Sequence, residues 1–146
     1  MNSNGTSSGV LTPQEALIYA MFAAAASDRT VSQPELLRIN SMVAELPAFR
    51  SLGGDWMSRE AQDCGRLLSK PDGMGKVVQM IVDALSPDLR ETAYALAAEV
   101  ASSDLAIKDG EREFLKLLEE ALQLDPLLKA ALEKAAVVRH RSIPEN

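Results

Sequence analysis

One nine-residue pattern occurs twice in this chain, and it constrains the fold more than any other feature. The first copy is Ser27-Asp28-Arg29-Thr30-Val31-Ser32-Gln33-Pro34-Glu35. The second, 76 residues later, is Ser103-Asp104-Leu105-Ala106-Ile107-Lys108-Asp109-Gly110-Glu111. Each reads Ser-Asp, two residues, a β-branched residue, three residues, Glu. Each follows an Ala-rich run and precedes an amphipathic one, so each reads as the loop of a helix–loop–helix. Asp ends the first helix and Glu opens the second. A unit repeated in this way is expected to set two helix pairs about a pseudo-two-fold axis, with both acidic loops at one end of a bundle. Between Ser27–Leu46 and Ser103–Leu122 the identities are Ser, Asp, Glu and the final Leu. Those four fall on the loop and on the core stripe.

The remaining punctuation fits the same architecture. Thr12-Pro13-Gln14-Glu15 is a capping box with Pro at the first helical position, and it opens a helix running to about Ser27. Leu17, Met21 and Ala24 share one face of that helix, and Ala23-Ala24-Ala25-Ala26 lets a neighbour approach closely. Ser32-Gln33-Pro34-Glu35 is a second capping box, ahead of Leu36, Ile39, Val43 and Leu46 at helical spacing. A third helix is expected from about Asp55 to Leu68, with Met57, Ala61, Cys64 and Leu68 inward. A fourth follows the Pro71-Asp72-Gly73 turn and carries Val77, Ile81 and Leu85. Ser86-Pro87-Asp88 caps a fifth, with Leu89, Ala93, Leu96 and Val100 inward. The sixth presents Phe114, Leu117, Leu118 and Ala121. Asp125-Pro126 caps the seventh, with Leu128, Leu132 and Ala135 inward. No segment reads as a strand. The expectation is an all-α, compact single domain of about seven helices over residues 11–139, between a disordered tail at 1–10 and a frayed polar tail at 140–146.

Composition bears on function mainly by exclusion. Aromatics make up 4% of the 146 residues, so Ala, Leu, Val and Met must fill the core, a palette that favours closely packed helices. A net charge of −6 argues against an extended nucleic-acid-binding face. The single cysteine, Cys64, excludes an internal disulfide and reads as a buried core thiol. The first residues lack the basic and apolar regions of a secretory signal. No apolar run approaches the ~20 residues that span a bilayer. A soluble, cytoplasmic protein is expected. His140, the only histidine, stands between Arg139 and Arg141 in the frayed tail, so neither a catalytic triad nor a His-based metal site is available. The glycines form no phosphate loop. Trp56, after Gly53-Gly54, reads as a core-edge residue, with an exposed interaction anchor as the alternative. Two carboxylates suit hydrolysis only beside a substrate cleft, so an enzyme is not expected.

The acidic loops leave two readings open. Asp28, Glu35, Asp104 and Glu111 serve as helix caps and turn closers, or they converge on a cation. Capping suits the first loop. It suits the second less, because Lys108 takes the place of Ser32 and an ammonium cannot accept a hydrogen bond. If all four carboxylates converge, each like-charge pair at ~5 Å costs roughly 3 kcal/mol at an effective dielectric of ~20. Such a cluster requires a cation, raised carboxylate pKa values or greater separation. With only oxygen ligands to hand, a hard ion such as Ca²⁺ or Mg²⁺ is expected, with Asp109 as an additional ligand candidate. The seven-residue Asp-to-Glu spacing and the lack of alternating acidic positions exclude an EF-hand.

The twice-used Ser-Asp, short loop, Val/Ile and helix-opening Glu resembles the TerB family of tellurite-resistance proteins over about Pro13 to Leu132. It is also similar to the TerB-like N-terminal domain of certain membrane-anchored DnaJ-type co-chaperones. The family's usual loop carries Asp-Gly, whereas Arg29 and Leu105 follow the Asp residues here. The resemblance implies an all-helical fold and a divalent-cation site carried by position to Asp28, Glu35, Asp104 and Glu111. It also implies a role in stress response, a protein partner, and peripheral membrane association through that partner. The alternative is a helical protein-interaction adapter whose acidic loop residues are caps.

Overall fold

The computed structural model describes residues 10–26, 31–50, 52, 55–103 and 108–144. Among these, seven α-helices and one 3-10 turn account for the regular structure, with no strand. The helices are α1 Pro13–Ala26, α2 Gln33–Glu45, α3 Trp56–Leu68, α4 Gly73–Ala84, α5 Pro87–Ala101, α6 Asp109–Leu122 and α7 Pro126–Arg139; the turn is Pro47–Phe49. The fold is therefore all-α and single-domain, as its helical periodicities predict.

The start signals act as the sequence predicts. Thr12 N–H donates to Glu15 Oε1 at 2.8 Å and Glu15 N–H to Thr12 Oγ1 at 3.2 Å. The same reciprocal pair joins Ser32 and Glu35, at 2.9 Å and 3.2 Å. Ser86 and Asp125 accept from Leu89 N–H and Leu128 N–H, opening α5 and α7. At the C-terminal end of α4, the Arg90 guanidinium donates to the carbonyls of Val82 and Leu85, both at 3.2 Å, and the Val82 carbonyl also accepts the Leu85 N–H.

α1 is the central element. It is apolar all round, with Ala16 to Met21 and Ala23 to Ala25 all buried, as a helix enclosed on every side must be. It packs chiefly on α5, then on α3 and α4. Alanines make that close approach possible: Ala20, Ala23 and Ala24 on α1, and Ala93, Ala97 and Ala101 on α5, are fully buried. The packing is reciprocal. α2 lies against α5 and α6 against α1, while α3 covers α1 and α7 covers α5. No helix among the described residues is long and apolar enough to cross a membrane.

Three details differ from expectation. Leu117 is exposed and Leu115 takes its place in the core; α6 turns so that Glu111, Phe114, Leu118 and Leu122 face inward with it. On α7, Ala136 is buried and Ala135 is not. His140 does not fray: it caps α7, and its Nε2 lies 2.7 Å from Glu99 Oε2, while Arg139 Nη1 donates to Glu99 Oε1 at 2.7 Å. Glu99 is 5% exposed in the Ala/Val face of α5. A carboxylate desolvated there requires cationic or donor partners, and it recruits both from the end of α7.

The turn into α4 is tightly built. Asp72 sits in the left-handed region at φ 59°, and a Cβ added at Gly73 would fall 2.1 Å from the Leu67 carbonyl oxygen and 2.9 Å from that of Leu68. Backbone cannot yield as a flexible side chain does. Gly73→Ala is therefore expected to lower the urea midpoint by the equivalent of about 2–3 kcal/mol. Gly75→Ala in the same helix meets nothing within 4 Å and is expected to stabilise by about 0.5–1 kcal/mol. Equal effects at the two positions would refute the steric account.

Candidate functional site

Two helix starts deliver the site. Glu35 and Glu111 each occupy the third position of their helices, α2 and α6, and both are 0% exposed. In each, Oε1 turns back to accept a backbone N–H at the helix entrance: Ser32 N–H at 2.9 Å for Glu35 and Lys108 N–H at 3.0 Å for Glu111. The second loop therefore keeps the Glu half of a capping box although Lys108 cannot supply the other half. In each, Oε2 is buried and no described donor reaches it.

The two carboxyl groups lie within hydrogen-bonding reach of each other. The two glutamates come from α2, which packs on α5, and from α6, which packs on α1. Two ionised carboxylates are both acceptors, so nothing bonds between them until a proton or a cation is present. Burial first, and then the hydrogen bond to Glu35, push the Glu111 carboxyl up from 4.5 to about 8, against the opposing pull of the Lys108 N–H. Without a cation, the pair at neutral pH holds a proton.

Asp28 and Asp104, the other two expected ligands, lie outside the described residues. Asp109 is exposed and does not join the buried pair. Among the described residues no group of three or more His, Cys, Asp or Glu side chains is placed to hold a metal ion, so the described share of the site is the Glu35–Glu111 pair.

Sequence reasoning missed a second buried carboxyl. Glu60 on α3 is 5% exposed, and its Oε1 is buried without a partner. Burial, followed by the nearby charges of Glu15 and Asp63, pushes it up to about 7. It neighbours Cys64, whose thiol is pushed up to about 12, chiefly by burial, and lies 3.9 Å from the Tyr19 carbonyl. That thiol is an inert core group, as expected. Trp56 is half-buried, its ring tilted against Phe49 at 6.4 Å between centroids. The signal for Glu99 was legible as a lone carboxylate in the run Ala97-Ala98-Glu99-Val100-Ala101. Glu60 carries no such mark, because its local surroundings, Ser58-Arg59-Glu60-Ala61-Gln62-Asp63, read as a solvated helix face.

No family model, curated protein or solved structure matches this chain.

Proposed function

We propose that this protein is a TerB-like stress-response module that binds a divalent cation, Ca²⁺ or Mg²⁺, between its two acidic loops. The single observation that supports the reading is the pair Glu35–Glu111: two fully buried, interacting carboxyls from two copies of one motif, each with one oxygen held by its own helix start and the other buried without a described donor. An all-oxygen, doubly anionic set suits a hard ion. Asp28 and Asp104 stand at the same place in each motif, seven residues before the glutamates, and supply the further ligands in this reading. The reading assigns no catalysis. A protein partner would read the ion-bound state through the loops.

Ion at 100 times its dissociation constant is expected to add about 2.7 kcal/mol to the folding stability. For a domain of this size that raises the melting midpoint by roughly 5–10 °C. Melting of the full chain in EDTA, in millimolar Ca²⁺ and in millimolar Mg²⁺ measures it. The double variant Asp28→Asn, Asp104→Asn keeps the turn-closing capacity of both residues and is expected to lose the response to ion. If the unmutated protein melts alike under all three conditions, the cation reading fails for these ions. The carboxyls are then helix caps sharing a proton, and the interaction-adapter reading takes its place.

A further inference from the structure

α7 is covered on one side only. Ala136 is its one buried residue, on the side that packs against α5. On the opposite side Leu127, Ala131, Lys134 and Val138 follow one another at i, i+4, i+7 and i+11, the spacing of a single helix face. All four are exposed, Leu127 at 79% and Val138 at 44%. Arg141, exposed in the turn after the helix, extends the same line. This face carries no carboxylate. Glu133, the one acidic residue of α7, is engaged elsewhere, with the Tyr94 hydroxyl and Lys129.

α6 shows the same pattern with the charges reversed. Phe114, Leu115 and Leu118 are buried, while Glu113, Leu117 and Glu120 are exposed at i, i+4 and i+7 on the outer side. Lys134, Val138 and Arg141 have the same spacing. Each set is two like charges two turns apart, with one apolar side chain between them at the same offset. Asp109, also exposed, continues the acidic line one turn earlier, and Lys116 stands beside it in the open cleft of about 430 Å³ between α6 and α7. None of Glu113, Glu120, Lys134 and Arg141 has an ion-pair partner among the described residues.

We propose that the outer face of α7 docks on the outer face of α6 in a second copy of this chain, and that the contact, made reciprocally, closes a dimer. Lys134 and Arg141 pair with the two glutamates, Val138 and Leu127 pack on Leu117, and Ala131 lets the helices approach as the alanines of α1 and α5 do. Charge selects this occupant. α7 against a second α7 sets cation beside cation, and α6 against α6 sets carboxylate beside carboxylate. An anionic lipid surface suits α7 but repels a chain whose net charge is −6. Exposed ion pairs are individually weak and screened by salt, so the dimer is salt-sensitive. The contact involves neither Glu35 nor Glu111, so experiments in EDTA test it apart from any bound ion.

Sedimentation equilibrium of the full chain in EDTA is expected to show a dimer at low salt, its dissociation constant rising about tenfold or more at ~1 M salt, where the screening length is about 3 Å. Two variants each reverse one face: Lys134→Glu with Arg141→Glu, and Glu113→Lys with Glu120→Lys. Each alone is expected to self-associate at least about tenfold more weakly. Mixed, they should form a dimer of one of each at near the parental affinity, because the two reversed faces match each other and the two unreversed faces still match. Lys134→Gln with Arg141→Gln, which places no acid at the end of α7, should weaken the dimer about threefold and serves if the Glu variant unfolds. A parent chain that is monomeric at millimolar concentration, a dimer that neither reversal weakens, or a mixture of folded variants that stays monomeric would each overturn the proposal. So would binding of monomers to phosphatidylserine–phosphatidylcholine vesicles that the α7 reversal abolishes, an outcome that assigns the α7 face to lipid.

Discussion

In EDTA, replacing Glu111 by Gln is expected to remove most of a stability loss that the unmutated protein suffers between pH 5 and pH 8. The sign follows from the direction of the shift. The Glu111 carboxyl is raised from 4.5 to about 8 in the folded state. Below pH 4.5 both folded and unfolded chains are protonated at this position, and its full stabilisation is present. Between 4.5 and 8 the unfolded chain gives up the proton and the native one keeps it, so stability falls by up to 1.36 kcal/mol per pH unit. The loss is complete once pH passes the folded value, for a total of roughly 3–5 kcal/mol, or about 10 °C in midpoint at this chain length. Gln is suited to the replacement. Its amide oxygen can still accept the Lys108 N–H, and its amide nitrogen can donate to Glu35 Oε2, the atom now lacking a donor. Glu60, raised to about 7, titrates in the same direction, so a smaller fall ending near pH 7 should survive in Glu111→Gln. Thermal melting of both proteins across this pH range reads the difference. A variant less stable than the parent at pH 8 would refute the shared proton.

Truncating Phe114 to Ala should cost about 3–5 kcal/mol, with a fall in melting midpoint near 10 °C. Its ring is fully buried one turn along α6 from Glu111, on the face packed against α4 and α1. With aromatics at 4% of the chain, the core has few large side chains, and the alanine-lined α1–α5 contact leaves little slack to refill the space. The cavity would also bring solvent closer to the carboxyl pair. Phe114→Ala should therefore lower the Glu111 pKa and flatten the fall between pH 5 and 8. A loss below about 1 kcal/mol in denaturant unfolding would mean that the inner face of α6 does not anchor the core.

Helix starts were fixed locally in this chain. Thr12, Ser32, Ser86 and Asp125 each cap the helix that follows them, because a capping bond joins residues two or three apart and needs no distant partner. The all-α class was equally legible, since periodicity and an alanine-rich composition act along each segment. The repeat places Glu35 and Glu111 at the same position of their helices, the third, because each closes its own helix start locally. What no local pattern decided is how far each helix rotates about its own axis. That rotation buries Leu115 and exposes Leu117, two positions and about 200° apart, and buries Ala136 in place of Ala135, about 100° away, because the surface each helix packs against selects among its faces. The same rotation brings Glu60 from an apparently solvated face into the α1–α3 contact, where desolvation changes its chemistry. The frayed tail expected at His140 became an anchored end for a related reason. Glu99, 41 residues before His140, is buried where α7 packs on α5, and it finds its partners, Arg139 and His140, there. The cleft between α6 and α7 likewise exists only because two helices diverge over a third, a relation among elements that no single segment contains.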